Sequence, residues 1–369
     1  MSAGHELNLV QKLYRGETRI NFIGHRRRWY LASAVIVLVA VLSFVFRGFN
    51  YGIEFAGGTQ FQIPITGTSI TTTEVQDAFS AAGNEIADPP QKVGSGNTHQ
   101  IVVKTESLDP DKQQSVKQKV ADDLHIKAGD ITVQTVSSSW GHEITVKAIE
   151  GLIIFLIVVS IYISVRYQWR MAVGALVGLL HDLLIAAGVY SLVGFSITPS
   201  TIVGLLTILG FSLYDTVVVF DKVAENSKDI LTTGRMTYSE AANLAVNQTL
   251  MRSINTSLIS LLPVAGLLFV GVGILGVGTI EDLALILFVG LAAGAYSSLF
   301  LCTPVVVDLT EREPKYKALT KRVIAKRSSE AKKAEAAGTT PLVDVAPVRR
   351  AGVPAPAPRP GAKPQRKRK

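Results

Sequence analysis

Gly210-Phe-Ser-Leu-Tyr-Asp-Thr-Val-Val-Val-Phe-Asp-Lys-Val-Ala-Glu-Asn226 closes an apolar run that begins near Ile202. The hydropathy of that run places it in lipid, yet it carries the carboxylate of Asp215 before it ends. At about 1.5 Å of rise per helical residue, Asp215 sits roughly 20 Å along from Ile202, inside a hydrocarbon core about 30 Å thick. A charge at mid-bilayer costs roughly 2.5 kcal/mol or more. Such residues therefore face the bundle interior or a wet cavity and mark ion or proton routes. The alternative is an Asp215 near the interface that caps or snorkels. Within the run, Ile208, Ser212, Asp215 and Val219 share one face at offsets of three and four residues. Asp221 and Glu225 fall beyond Phe220 and are expected to be solvated.

Composition supports a membrane setting. The 369 residues are 48% hydrophobic and 18% charged, with a mean hydropathy of +0.32, and several uncharged runs approach the length of a span. The net charge of +8 is a property of the C-terminal end, because the segment from Glu311 to Lys369 holds 17 Lys or Arg against 5 Asp or Glu. A single cysteine, Cys302, allows neither an internal disulfide nor a thiolate metal cluster, and reads as a small buried apolar residue. The run after Arg26, Arg27 and Arg28 lacks a small-residue cleavage site, so it reads as a retained first span.

The expected organisation is a cytoplasmic N-terminus (1–28), six spans (29–46, 148–166, 171–193, 199–220, 250–272 and 281–304), a cytoplasmic loop (221–249) and a basic disordered cytoplasmic tail (305–369). The Arg triplet followed by Trp29 and Tyr30, and the loop Arg166-Tyr-Gln-Trp-Arg170, set the inner side by the positive-inside rule. Both termini are then cytoplasmic. The tail's charge suits anionic lipid rather than RNA, because Tyr316 is the only aromatic residue among the charges.

Residues 47–147 form an insert outside the cytoplasm, large enough for a small domain. Alternation at Thr59 to Ile65, His99 to Lys104 and Ile131 to Thr135 gives three strand candidates. Helical spacing at Val75, Ala78, Phe79 and Ala82, and again at Val116, Val120 and Leu124, gives two helices, the second opened by Asp109 and Pro110. The order suggests a small α+β sandwich. Ala56-Gly57-Gly58 and Gly94-Ser95-Gly96 read as turns. No catalytic pairing, cofactor loop or metal cluster is recognisable, so no catalytic, cofactor-binding or metal residues are assigned and no enzyme activity is expected.

The polar residues left in the spans are few. His181 and Asp182, adjacent near the middle of the third span, fit either a structural polar contact or a proton-handling role. Arg252, Asn255, Thr256 and Ser260 form a polar stripe ahead of Pro263, and Arg252 also fits an inner-boundary anchor. Burial raises a carboxylate pKa and a nearby guanidinium lowers it, so a movement bringing Asp215 toward Arg252 would couple protonation to shape. Gly174 with Gly178, and Gly290 with Gly294, give small-xxx-small faces for close helix packing. Glu281 and Asp282 are expected at a solvated end. Asp182 and Asp215 also raise an intramembrane aspartyl protease as a remote alternative, but its Gly-x-Gly-Asp element is absent and the two aspartates would lie at different depths.

With these residues in view, the chain resembles the SecF branch of the SecD/SecF protein-export family, within the RND superfamily, over about residues 20 to 305. The resemblance rests on Tyr51-Gly-Ile-Glu-Phe-Ala-Gly-Gly-Thr59, His181-Asp182, Gly210 to Asn226, Gln248-Thr-Leu-Met-Arg-Ser-Ile-Asn-Thr-Ser257 and Gly294-Ala-Tyr-Ser-Ser298, in order. It implies a six-helix RND-type half with a ferredoxin-like extracytoplasmic domain, in the bacterial cytoplasmic membrane. That half would pair with SecD, join the SecYEG channel, and use the proton motive force to help export a preprotein. Lipid is a further partner, and no nucleic acid is expected. Asp215 and Arg252 become the proton-relay candidates, with His181, Asp182, Ser212, Tyr214, Asn255 and Thr256 as supporting polar residues. Glu54 stands where the family commonly has Asp, and Tyr214 where it usually has Asn. The alternative function is a scaffold that holds SecD beside the channel without handling protons.

Overall fold

Long apolar helices organise the molecule, and the computed structural model describes residue 18 and residues 20–65, 70–93, 100–272 and 281–336. In chain order, helix α1 is Arg26–Arg47, strand β1 Asn50–Tyr51, α2 Ile53–Ala56, β2 Gly58–Pro64, α3 Thr72–Ala81, β3 Ile86–Val93, β4 Gln100–Thr105, α4 Pro110–Asp123 and β5 Thr132–Val136. Then follow α5 Ser138–Arg166, α6 Trp169–Val193, β6 Ser196–Ile197, α7 Pro199–Ser227, α8 Ile230–Thr233, α9 Tyr238–Gly266, α10 Glu281–Ser297, α11 Thr303–Glu311 and α12 Pro314–Ala336. Six of the helical stretches are long and apolar enough to cross a membrane. Leu31, Val45, Ile157, Val165 and Leu262 lie exposed along them, as expected of side chains whose solvent is lipid. Half of the most apolar 18 residues are buried in α6 and in the last stretch, against 17% in α1 and 11% in α5. Helix α6 and the last stretch therefore form the centre of the bundle.

Three expected boundaries move, each for a local reason. Helix α5 starts at Ser138, ahead of the expected 148, because Ser137 caps it by accepting from the Trp140 amide at 3.3 Å. The expected loop 221–249 is largely helical: α7 runs on to Ser227, and α9 begins at Tyr238. A capping box starts α9, with Thr237 and Glu240 each accepting from the other's amide. The tail expected to lack order from 305 onward carries α11 and α12, with Tyr316 and Leu319 buried one turn apart; the rest of that tail, from 337, lies outside the described residues. Two compact units divide the chain, Met1–Lys321 and Arg322–Lys369, and the first holds both the bundle and the small domain.

The domain between α1 and α5 has a four-stranded antiparallel sheet in the order β3-β4-β2-β5, with α3 and α4 packed on it. Alternate residues Phe61, Ile63, Ile101 and Val103 point into a core closed by Val75, Phe79, Val116 and Val120. Each such fully buried side chain contributes about 1.5–3 kcal/mol. The three expected strands and both helices are present, and β3 is an additional one. Its Asp88-Pro89-Pro90 run hides it from an alternation test. It survives as an edge strand with register shifts against β4, where missing amide donors are tolerated. Gly57 and Gly58 form the expected turn: their φ values are 75° and 117°, and a Cβ on Gly58 would meet the Thr105 carbonyl oxygen at 2.5 Å. Gly94-Ser95-Gly96 lies outside the described residues.

Strand pairing and a buried lysine tie the domain to the bundle. Strand β1 pairs in parallel with β6, which precedes α7. Buried Lys104 of β4 reaches across to donate to Asn50 Oδ1 at 2.9 Å, the Tyr51 carbonyl at 2.8 Å and Ser196 Oγ at 3.3 Å. Asp282, expected to be solvated, is instead partly buried beside Thr198, which donates to it, and its carbonyl accepts from the Tyr190 hydroxyl. The side chain of Glu281 lies outside the described residues.

Candidate functional site: two carboxylates inside the bundle

Close helix approach builds the site. A Cβ on Gly174 would meet Val306 Cγ2 at 2.5 Å, and one on Gly178 would meet Cys302 Sγ at 2.2 Å. On the last span itself, a Cβ on Gly290 would meet Ile208 Cδ1 at 2.2 Å and one on Gly294 would meet Ser212 Cβ at 3.0 Å. All four glycines stand where neighbouring helices approach closely, α6 and α7 against α10 and its continuation. That continuation is not α-helical: Ser298–Cys302 forms a π-helical turn between α10 and α11. Such turns shift the hydrogen-bond register and re-aim side chains.

Asp215, on α7, is 8% exposed. Its Oδ1 accepts from Ser253 Oγ of α9 at 2.8 Å, and its Oδ2 from Ser298 Oγ at 2.6 Å. Asp182, on α6, is fully buried and accepts from His181 Nδ1 at 3.1 Å, Ser212 Oγ at 2.6 Å and Ser297 Oγ at 2.8 Å. The His181 ring stacks on Tyr296, with centroids 6.0 Å apart. Cys302 is buried and free, and its sulfur accepts from Thr216 Oγ1 at 3.8 Å.

Consecutive serines therefore serve the two carboxylates, Ser297 binding Asp182 and Ser298 binding Asp215. Ser212, which bonds Asp182, stands three residues before Asp215 on α7, so the two carboxylates are held about one helical turn apart. The structure brings together His181, Asp182, Ser212 and Asp215.

It does not bring Arg252 to Asp215. Arg252 is exposed on α9 and its Nη2 donates to Tyr214 Oη at 3.3 Å. Among the described residues no ion pair joins it to a carboxylate. Tyr214 is 53% exposed, one position from Asp215 but turned away by the 100° helical step. Asn255 and Thr256 are half-buried on α9. The buried face of α9 runs instead through Val246, Thr249, Leu250 and Ser253. Ser253 was thus missed by one position. The signal that could have found it is this apolar row, whose 3.6-residue period points one residue past Arg252. Ser297 and Ser298 were visible as hydroxyls on the last span, without an indication of what they bind.

Comparison with known proteins places the chain in a family. Residues 115–312 match the family model described as protein export membrane protein SecD/SecF, C-terminal, and residues 42–68 match the SecD/SecF GG motif. The chain is 47% identical to protein translocase subunit SecF of Streptomyces coelicolor, over 89% of this chain and 87% of that protein. It is 44% identical to protein translocase subunit SecF of Mycobacterium tuberculosis H37Rv, over 88% and 75%. The crystal structure of SecDF from Thermus thermophilus, a translocon-associated membrane protein, superposes with a TM-score of 0.71 at 30% identity. That likeness covers 80% of this chain but only 39% of the SecDF chain.

Proposed function

The chain belongs to the SecD/SecF protein-export family as a multi-pass accessory subunit of the Sec translocase, and from that premise we propose that it pairs with SecD and uses the proton motive force to assist preprotein export. The observation that carries this reading is Asp215, a carboxylate in a membrane-crossing helix held by two hydroxyls rather than by a fixed cation. Such a group can be neutral at one step and charged at another without breaking an ion pair. Arg252 supports the pairing. A guanidinium exposed on an apolar helix is costly in lipid, and an acidic group on SecD would supply its acceptor. The relay then runs through Asp215 within the chain and Arg252 at the subunit boundary.

The same reading places the chain in the bacterial cytoplasmic membrane with both termini inside and the small domain outside. Basic Arg26, Arg28 and Arg166 at helix ends support this orientation. The domain's strand, helix, strand, strand, helix, strand order supports a ferredoxin-like fold. SecYEG and the preprotein are the partners this role implies, and anionic lipid suits basic α12. No enzymatic activity is assigned.

One observation favours a scaffold instead: Arg252 bonds Tyr214, not Asp215. Asp215→Asn and, separately, Arg252→Met in the full complex separate the two readings through proton-gradient-dependent release of a secreted protein from membrane vesicles. Release is expected to fail while insertion stays normal. Normal release with an intact complex would overturn the relay.

A further inference from the structure

The proposed relay uses one buried carboxylate, and among the described residues the bundle holds a second, Asp182. Asp182 is the more deeply buried, fully enclosed where Asp215 is 8% exposed. Its neighbour His181 contacts it through Nδ1, and the other ring nitrogen, Nε2, is buried with no protein hydrogen-bond partner. A buried nitrogen of this kind, on a ring otherwise fixed by a carboxylate and a stacked tyrosine, is the open face of the pair.

Ser297 and Ser298 add the second observation. Ser297 Oγ lies 2.8 Å from Asp182 Oδ2 and 3.3 Å from the Gly294 carbonyl. Ser298 Oγ lies 2.6 Å from Asp215 Oδ2 and 3.3 Å from the Ala295 carbonyl. A hydroxyl has one hydrogen, so each serine satisfies one acceptor at a time. An ionised carboxylate is the stronger acceptor and holds the hydroxyl. A protonated one releases it to the carbonyl of its own helix. Both rotors sit where α10 passes into the π-helical turn, so the state of each carboxylate acts on the same turn of backbone.

We infer that His181 and Asp182 form a second proton-holding station, coupled to Asp215 through the adjacent hydroxyls of Ser297 and Ser298. A proton taken up at His181 Nε2 makes an imidazolium beside the Asp182 carboxylate. Transfer of the Nδ1 proton across the 3.1 Å contact leaves a neutral imidazole and a carboxylic acid. Only N–H and O–H bonds change. The titratable groups facing the pair are Asp215 from α7, Tyr296 from α10 and Cys302 from the π-helical turn. Helix α5 packs on α6 with apolar Val159 and Ile163 buried, and Tyr30 of α1 is bonded to Asp308. Arg252 is exposed and bonded to Tyr214.

The inference rests on the relay reading only for its link to export, because proton binding has its own readout. The full chain with its copurifying partners, carrying isotope-labelled aspartate, is titrated with pH by infrared difference spectroscopy in the carboxylic-acid region. Of the titrating aspartic-acid bands, two are expected to belong to buried Asp182 and Asp215, each identified by its loss in the corresponding Asn variant. Asp182→Asn should remove one and move the midpoint of the other by about one pH unit, the scale of coupled sites. Ser297→Ala should keep both bands and reduce that displacement. Titrating bands in Asp182→Asn identical to those of the unaltered chain would overturn the inference. Should Asp182→Asn not assemble, Asp215→Asn decides: beyond losing its own band it must move the midpoint of one remaining aspartic-acid band, and remaining bands that are all unmoved overturn the second station. Normal export in Asp215→Asn would overturn the relay while leaving the two-band result intact.

Discussion

The Ser253 hydroxyl donates to Asp215 Oδ1 at 2.8 Å, while the residue before it, Arg252, points to the outer surface of the same helix. Ser253 is 1% exposed, so water cannot replace its hydrogen bond. Ser253→Ala should therefore cost about 1–3 kcal/mol, the penalty for leaving a buried acceptor short of a donor. The thermal midpoint of the purified full chain measures it. Ser260→Ala, partly exposed further along α9, should leave the midpoint unchanged; equal losses in both would remove the special place given to Ser253.

Glycines in the bundle divide sharply by neighbourhood. A Cβ on Gly188 would meet Ala40 Cβ at 2.3 Å and its backbone Cα at 2.8 Å, so α1 and α6 cannot both keep their positions. Gly188→Val is expected to split this pair, and with it the Ser43–Ser191 hydrogen bond of 2.9 Å. Loss of cross-linking between cysteines introduced on α1 and α6 would report the separation. Gly210 has nothing within 4 Å of a built Cβ. Gly210→Ala should stabilise α7 by up to about 1 kcal/mol from helix propensity.

Lys104 carries the joint between the small domain and the bundle. Lys104→Met keeps the stem but removes the three bonds to Asn50, Tyr51 and Ser196. The domain core, Phe61 and its neighbours, should stay folded while the domain moves more freely on the bundle. Spin-label distances between β4 and α7 should broaden, with hydrogen exchange in the sheet unchanged. Exchange lost throughout the sheet would show that Lys104 supports the domain fold rather than its placement.

Helix α3 gives a pH prediction. The Glu74 carboxyl accepts from the Thr71 amide at 2.8 Å, and that bond, followed by the Thr71 hydroxyl, holds it below its ordinary value of 4.5. A depressed carboxyl contributes stability above its unfolded pKa and loses it as pH falls through the folded one. Fraying of the first turn of α3 should therefore increase below about pH 4.5. Hydrogen exchange, corrected for the intrinsic rate at each pH, measures it. Glu74→Gln should fray independently of pH over that range.

Hydropathy and period, which are local properties, determined six spans, the domain between the first two, and four glycines at close-packing positions. The same signals identified Ile208, Ser212, Asp215 and Val219 as one inward face. They could not rank neighbours around a helix. Each residue turns by about 100°, so one step separates Ser253 inside from Arg252 outside. Only the tertiary structure decided which hydroxyls reach which carboxylate, because Asp182, Asp215, Ser253, Ser297 and Ser298 come from α6, α7, α9, α10 and a π-helical turn whose register no periodicity records. Strand β3 was hidden for a related reason. An edge strand is held by pairing with β4, a long-range interaction, rather than by a preference written in Asp88-Pro89-Pro90.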